Sequence, residues 1–528
     1  MKFKNLFRSS LLLVLVLVLM TSAVILAASK DELTYGEMAG DLKLLDPAMP
    51  YVSNEATILT TVMESLVDYP LGEVSTNFTP ALAEKWNISS DGKKYTFYLR
   101  KNVKWYHNYG EFTADDVVFS LNRYRDPKDS VWAGQYADIT DVKKIDKYTV
   151  EVTLNKPDPF FLGRVATNTE SGSLMMCKKA FEDNGSDKMR LFPVGTGPFV
   201  FNEYKSKEYV SLVRNESYWG KKANLKKITY LFMPNESSRE LALLSGNIDT
   251  MRIKSDPVVF ERLRAKKYII DTQGPEILWW FICNTQVKPF NDLRVRQAIA
   301  YAINRNDFSG IFGKEVTLPL NTIFTPSYFG ALTEKELAPS AKYSQNIKNA
   351  KQLLADAGYP NGFNVEMLIT ERSDYQTMML IIQQQLKQIG INVKLNLVEH
   401  TTYHSEIRKS KNPLILYGEL SYPEAGIILR RFLHSSACVT KSTAVRNFAN
   451  YENAQLDAYL EEAEKTYDLK HRAELYKKVQ EIAMRDLPMI PVIATKQALI
   501  RSPQVDLGYK LKTSLVLGYR FLSPTKKK

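Results

Sequence analysis

The chain has five histidines: His107, His400, His404, His434 and His471. Only His400 and His404 stand at a spacing that does chemistry. Four residues apart on one helical turn, two imidazoles could share a metal ion, and Glu399 and Glu406 lie beside them. No cysteine or third histidine follows at ligand spacing, so a pair of exposed polar residues at a strand-to-helix junction accounts for them better. The three cysteines, Cys177, Cys283 and Cys438, form no C-x-x-C pair. There is no G-x-S-x-G nucleophile elbow, no P-loop and no H-E-x-x-H motif. Gly195-Thr-Gly197 runs into Pro198, which lacks the N–H that a phosphate would need, and reads as a turn. Asp115-Asp116 suits the first turn of a helix. The residues thus call for no catalytic group, no resident metal and no cofactor. Aromatic pairs such as Trp105-Tyr106 and Trp279-Trp280 remain, fit either to line a cavity or to fill a core.

These residues need elements to position them. Tyr95–Leu99 and Tyr148–Leu154 are β-rich and predict strands. Thr113 caps a predicted helix whose first turn holds Asp115 and Asp116, and Asp126-Pro127 ends it. Val210–Val213 reads as a strand, and Arg294–Asn304 and Ile347–Ala357 as helices. Gly358 stands at the C-cap of the latter, before Pro360. The clearest unit runs from Tyr375 to Val398. A helix carrying Met378, Ile382 and Leu386 stops at Gly390, and Ile391, Val393, Leu395 and Leu397 then alternate as a strand. Two charged helices follow, near 454–465 and 472–485. Interleaved strands and helices define a layered α/β chain. There is no repeat, and no low-complexity linker separates domains.

The length of 528 residues allows two to four domains. The formal charge of +12 raises nucleic acid as a partner. Lys2, Lys4 and Arg8 precede the aliphatic stretch Leu11–Met20, and small residues end the run at Ala27, Ala28 and Ser29. That is the pattern of a secretory signal peptide, assigned to residues 1–28. An uncleaved anchor is the other reading, because the run approaches the ~20 residues of a spanning helix. No cysteine near this region could carry a lipid, so an exported periplasmic protein follows. Cleavage lowers the charge from +12 to +9. The rest is dispersed among acids, which argues against nucleic acid.

Several segments, taken in order, resemble the family 5 extracellular solute-binding proteins, the oligopeptide-, dipeptide- and nickel-binding components of ABC importers. Phe78–Trp86, Ser90–Phe97 and Phe112–Val118 look like that family's N-terminal signature. Gly195–Phe199 with Arg214–Trp219, Pro289–Ala298 with Tyr301–Arg305, Ala350–Gly358, Gln385–Val393 and Pro488–Pro491 match its later blocks. The resemblance implies a two-lobe, type II periplasmic-binding-protein-like fold with a hinge, and a cluster of three domains. Domain I would comprise 30–66, 193–277 and 495–528. Domain II, 67–192, would be inserted in it, and domain III, 278–494, would form the second lobe. It also implies a peptide-like or related polar ligand, an ABC permease as partner, and a monomer.

Two ligand positions carry over. Dipeptide-binding members hold a ligand carboxylate with an arginine that Arg372, in Ile369-Thr-Glu-Arg-Ser-Asp374, matches. Its fork of N–H donors suits that role, and a surface pair with Glu371 or Asp374 is the alternative. Peptide-binding members hold the ligand ammonium with an aspartate in Gly-Trp-x-Ala-Asp-Tyr. In the matching stretch Tyr417–Tyr422, Ser421 replaces that aspartate and Gly418 the tryptophan. A hydroxyl offers an ammonium no charge. Ligands without a free amine therefore gain weight: a modified peptide, a sugar or a metal chelate. The expected contacts are Arg372, Ser421, Tyr422, Glu419 as a cation partner and Trp279 as a cavity wall. The alternatives are a nickel or metal-chelate receptor, suggested by His400 and His404, an oligosaccharide receptor, and more distantly a secreted α/β hydrolase.

Overall fold

The computed structural model describes residues 30–49, 53–73, 75–167, 172–253, 256–420, 424–441, 445–512 and 520–528. The leader assigned to 1–28 lies outside them, as do Ser421 and Tyr422. Among the described residues no helix is long and apolar enough to cross a membrane.

Local rules account for the elements near the site. Thr113 caps the helix Ala114–Arg125, and Asp116 returns the bond to the Thr113 N–H, a capping box. The strand Phe363–Thr370, the helix Ser373–Lys387 and the strand Ile391–Val398 form one β-α-β unit with parallel strands. The turn into its second strand needs Gly390, at φ +86°, because the backbone of Gly362 packs against it: a Cβ on Gly362 would meet the Gly390 carbonyl. Ile391 and Val393 are buried as the alternation predicts, but Leu397 is 59% exposed. The strand leaves the core toward its C-terminal end.

A nine-stranded sheet spans the molecule. Its order is Leu414–Leu420, Ile269–Cys283, Met489–Arg501, Thr250–Ile253, Glu32–Glu37, Lys227–Phe232, Tyr209–Arg214 and Phe199–Lys205, with Thr317–Pro319 also paired to Met489–Arg501. A separate four-stranded sheet lies within residues 83–154. Two large cores flank this arrangement. One draws on Leu278 through Ala494, the other on Leu33 through Phe232 together with Leu499, Val505, Leu507 and Phe521. In the antiparallel pair Ile269–Cys283 and Met489–Arg501, Leu278–Cys283 and most of Met489–Ala494 lie in the first core, Leu499 lies in the second, and the register shifts between Gln273 and Ile277 and again between Trp279 and Trp280.

Cys177, Cys283 and Cys438 are buried, free thiols. Trp105, Tyr106 and Trp280 are core residues; the Trp280 Nε1–H donates to the Ile323 carbonyl.

Candidate functional site: a basic cavity at the strand ends

The carboxyl ends of parallel strands are where an α/β layer leaves its loops to build a site. Arg372 follows the strand Phe363–Thr370 and is the N-cap residue of the next helix. His400 follows the paired strand and opens the helix His400–Glu406, which carries His404 one turn on. The Thr370 hydroxyl lies 3.0 Å from His400 Nδ1, which aims the ring's other nitrogen away from the strand. His400 Nε2 then lies 3.3 Å from His404 Nε2.

The neighbouring strands supply the rest. Leu414–Leu420 brings Tyr417, Gly418 and Glu419, and its antiparallel partner brings Trp279 directly opposite Gly418. The indole ring lies over that glycine, since a Cβ there would fall 3.0 Å from it. Trp279 also packs edge-on against Tyr375, with ring centroids 4.8 Å apart, and its Nε1–H donates to the Thr495 hydroxyl. Arg408 and Arg446 complete the walls of a cavity of about 400 Å³.

Arg372, Trp279 and Glu419, three of the expected contacts, line this cavity together with His400 and His404. Ser421 and Tyr422 fall outside the described residues. The histidines are half-buried rather than exposed. Arg408 and Arg446 were not legible in the sequence; no motif surrounds either.

The electrostatics are one-sided. Among the described lining residues, Arg372, Arg408 and Arg446 face one carboxylate, Glu419. Arg372 pairs with Asp374, at 3.1 Å from Nε, and stacks over Tyr375. Glu419 is 4% exposed and holds two guanidiniums: Arg431 Nη1 donates to Oε1 at 3.2 Å, and Arg446 Nη1 to Oε2 at 2.6 Å. Burial pushes His404 down to about 4, aided by His400, Arg408 and Arg446, so its imidazole is neutral at pH 7. Burial and the Arg372 charge lower His400 as well. Among the described residues no group of three or more His, Cys, Asp or Glu side chains could hold a metal.

A cavity of this size, lined by aromatic rings and a few convergent polar groups, is a ligand-binding site. Residues 77–437 match the family model "Bacterial extracellular solute-binding proteins, family 5 Middle", and the chain belongs to that family. Heme-binding protein A of Haemophilus influenzae is 30% identical over 482 residues, covering 85% of this chain and 84% of the relative. Among solved structures, MoaA of A. tumefaciens in complex with mannopinic acid is 32% identical with a TM-score of 0.77, covering 95% of this chain and 100% of that one. DppA of Helicobacter pylori in complex with the peptide STSA is 29% identical with a TM-score of 0.74, covering 94% and 98%. The two-lobe α/β periplasmic-binding-protein-like fold is common to them. The protein is thus an extracytoplasmic binding component that captures a small ligand for an ABC importer.

Proposed function

We propose that the ligand is a small anionic molecule, peptide-like or a related polar acid, whose carboxylate is held by Arg372 with Arg408 and Arg446. The observation that carries this reading is that three guanidiniums stand with one carboxylate among the described residues of the cavity lining. A guanidinium fork matches a carboxylate with two parallel hydrogen bonds. Glu419 serves here as the counter-ion that fixes Arg431 and Arg446, and not as the partner of a ligand ammonium. The ligands bound in two similar structures, mannopinic acid and a peptide, are consistent with an acid.

In this reading the two cores belong to two lobes, divided near 277/278 and 494/495. The register shift between Gln273 and Ile277 lies beside that division and is the proposed hinge. The exported, processed monomer presents its closed form to the permease. Native mass spectrometry of protein purified from the periplasm tests the ligand class directly: an acidic small molecule should be retained. Titration of the purified protein with acidic peptides should change tryptophan emission and raise the melting temperature, and Trp279→Phe should abolish the emission change. Binding of neutral sugars with no response to acids would overturn the reading.

The histidine pair supports a second reading, a metal chelate. Ligand bonds of ~2.0–2.1 Å at a tetrahedral angle place two nitrogens ~3.3 Å apart, which is the separation of the two Nε2 atoms. Two neutral imidazoles are suitable ligands, and the arginines would hold an anionic chelator around the metal. Calorimetry with metal alone and with chelated metal, repeated on His400→Ala, separates the two readings.

A further inference from the structure

Two neighbouring phenylalanines pack against different cores. Phe161 is 1% exposed and belongs to the core that draws on Leu33 through Phe232. Phe160, one residue earlier, packs against the core that draws on Leu278 through Ala494. A single turn of chain thus carries one ring into each body.

The turn is fixed on its own side. The Tyr95 hydroxyl donates to the Asp158 carbonyl at 2.6 Å. Tyr95 is buried in the same core as Phe161, with ring centroids 4.7 Å apart. Asp158 Oδ1 accepts from the Phe160 N–H at 3.0 Å, and the other carboxylate oxygen pairs with Arg164. The Asp158 side chain therefore sets the backbone from which Phe160 leaves the first body.

A seat for the ring is built on the other side. Arg472 is 3% exposed, and its guanidinium lies over the Phe160 ring at 5.2 Å and over the Phe329 ring at 5.5 Å. Phe329 packs against the second body's core, as Phe160 does. Arg472 Nη2 donates to Glu424 Oε1 at 2.8 Å, and Nη1 to the Thr466 carbonyl at 3.2 Å. Glu424 supplies the counter-charge, and the two hydrogen bonds hold the guanidinium plane in place against the ring. Arginine suits this role because its cation is flat and weakly hydrated. A desolvated contact of this kind stands at the strong end of cation–π interactions. Phe160 and Arg472 lie outside the described lining of the arginine cavity.

We infer that Phe160 is a closing plug: carried by the first body and seated on Arg472 of the second, it fastens the lobes through a contact that belongs to the protein and not to the ligand. Opening the lobes withdraws the ring, which exposes apolar surface and uncovers a stacked guanidinium; closing restores both contacts. Part of the free energy of closure is then fixed in the chain. It favours the closed form in advance of the ligand and lowers what the ligand's own contacts must supply. Phe160 and Arg472 are positioning residues, because they act on the cavity through the lobes. The inference rests on the assignment of the two cores to two lobes, and on no ligand class.

Small-angle X-ray scattering tests it on the full mature chain, freed of retained ligand by unfolding and refolding. Phe160→Ala removes the plug. Arg472→Lys, on the other body, keeps the charge and removes the flat stacking surface. Both are expected to raise the radius of gyration by a few per cent of the roughly 23 Å of a compact chain of this length. Phe160→Tyr, which keeps the ring, should stay at the wild-type radius. Melting curves show that each variant folds, and because the two substitutions lie on different bodies, either one decides the question if the other fails to fold. An unchanged radius with an unchanged melting temperature in the variants would overturn the plug alone. A lower melting temperature at an unchanged radius would make the contact ordinary packing within one rigid body, and would overturn the plug and the division into lobes together.

Discussion

The hydroxyl of Tyr467 lies 3.0 Å from that of Tyr95, across 372 residues of sequence and across the boundary between the two cores. The contact is part of a knot. Tyr467 donates to the Gly92 carbonyl at 2.7 Å and accepts from the Asp158 N–H at 3.1 Å. Gly92 lets the ring approach, since a Cβ there would lie 2.4 Å from it. Tyr467→Phe keeps the ring and removes all three bonds, at a cost of about 1 kcal/mol to the joined state. The expected outcome is a larger radius of gyration for the ligand-free protein and weaker ligand binding, about fivefold by that cost. Scattering and calorimetry on the variant check both.

Arg372 should separate binding from stability. Its pair with Asp374 is half exposed, with side chains 46% and 32% accessible, and such pairs contribute at most about 1 kcal/mol. Arg372→Gln is therefore expected to leave the melting temperature nearly unchanged. Loss of a charged hydrogen bond to a bound carboxylate costs about 1.5–3 kcal/mol, so affinity for an acidic peptide should fall by roughly ten- to a hundredfold. A large drop in melting temperature with unchanged affinity would mean that Arg372 serves the fold instead.

Glu419 should do the reverse. It is almost wholly buried, and its two oxygens carry Arg431 and Arg446, whose side chains are 30% and 29% exposed. Removing the charge leaves two partly buried guanidiniums without it, for an expected loss of about 1–3 kcal/mol, less than for a fully buried pair. In Glu419→Gln the free protein should melt lower. An anionic ligand would then supply the missing charge, so the ligand-induced rise in melting temperature should exceed that of the wild type. Differential scanning calorimetry with and without an acidic peptide reads both effects.

How much of this was legible before the structure depends on the range of the interaction. The helix and the strand on either side of Gly390 were readable because their signals are local: an apolar helical stripe, a glycine that stops it and an alternating strand. Arg372 was readable through the family resemblance, as the arginine just before a helix, and the spacing of His400 and His404 put them on one turn. The cavity was not. Arg408, Arg431 and Arg446 stand in three separate segments with no shared motif, and only tertiary packing brings them to Glu419 and the histidines. Gly418 shows the same limit. In the sequence it is a missing tryptophan. In the sheet, cross-strand register sets Trp279 over it, so an indole covers the position from the neighbouring strand. Register between strands about 140 residues apart is not encoded in any local pattern.

The histidines make the last prediction, on pH. Burial holds the folded His404 at about 4, below its ordinary value of 6.5. Between those values the unfolded chain binds a proton that the folded chain does not, so folding stability rises with pH there. The contribution is fully present above pH about 6.5 and is lost as pH falls toward 4 and below. Buried carboxyls act in the opposite sense: Glu64 and Glu424 are raised to about 7 by burial, which favours the fold as they protonate. The histidine term must therefore be read as a difference. Melting temperatures of wild type and His404→Gln, measured from pH 7.5 to 4, should converge at the high end and diverge at the low end, with the variant less sensitive to acid. An anion bound as proposed would lie beside the same imidazole and favour its charged form, so wild-type affinity for an acidic peptide should rise as pH falls from 7 to 5. In His404→Gln that rise should flatten. An affinity independent of pH in the wild type would place the bound anion away from the histidine pair.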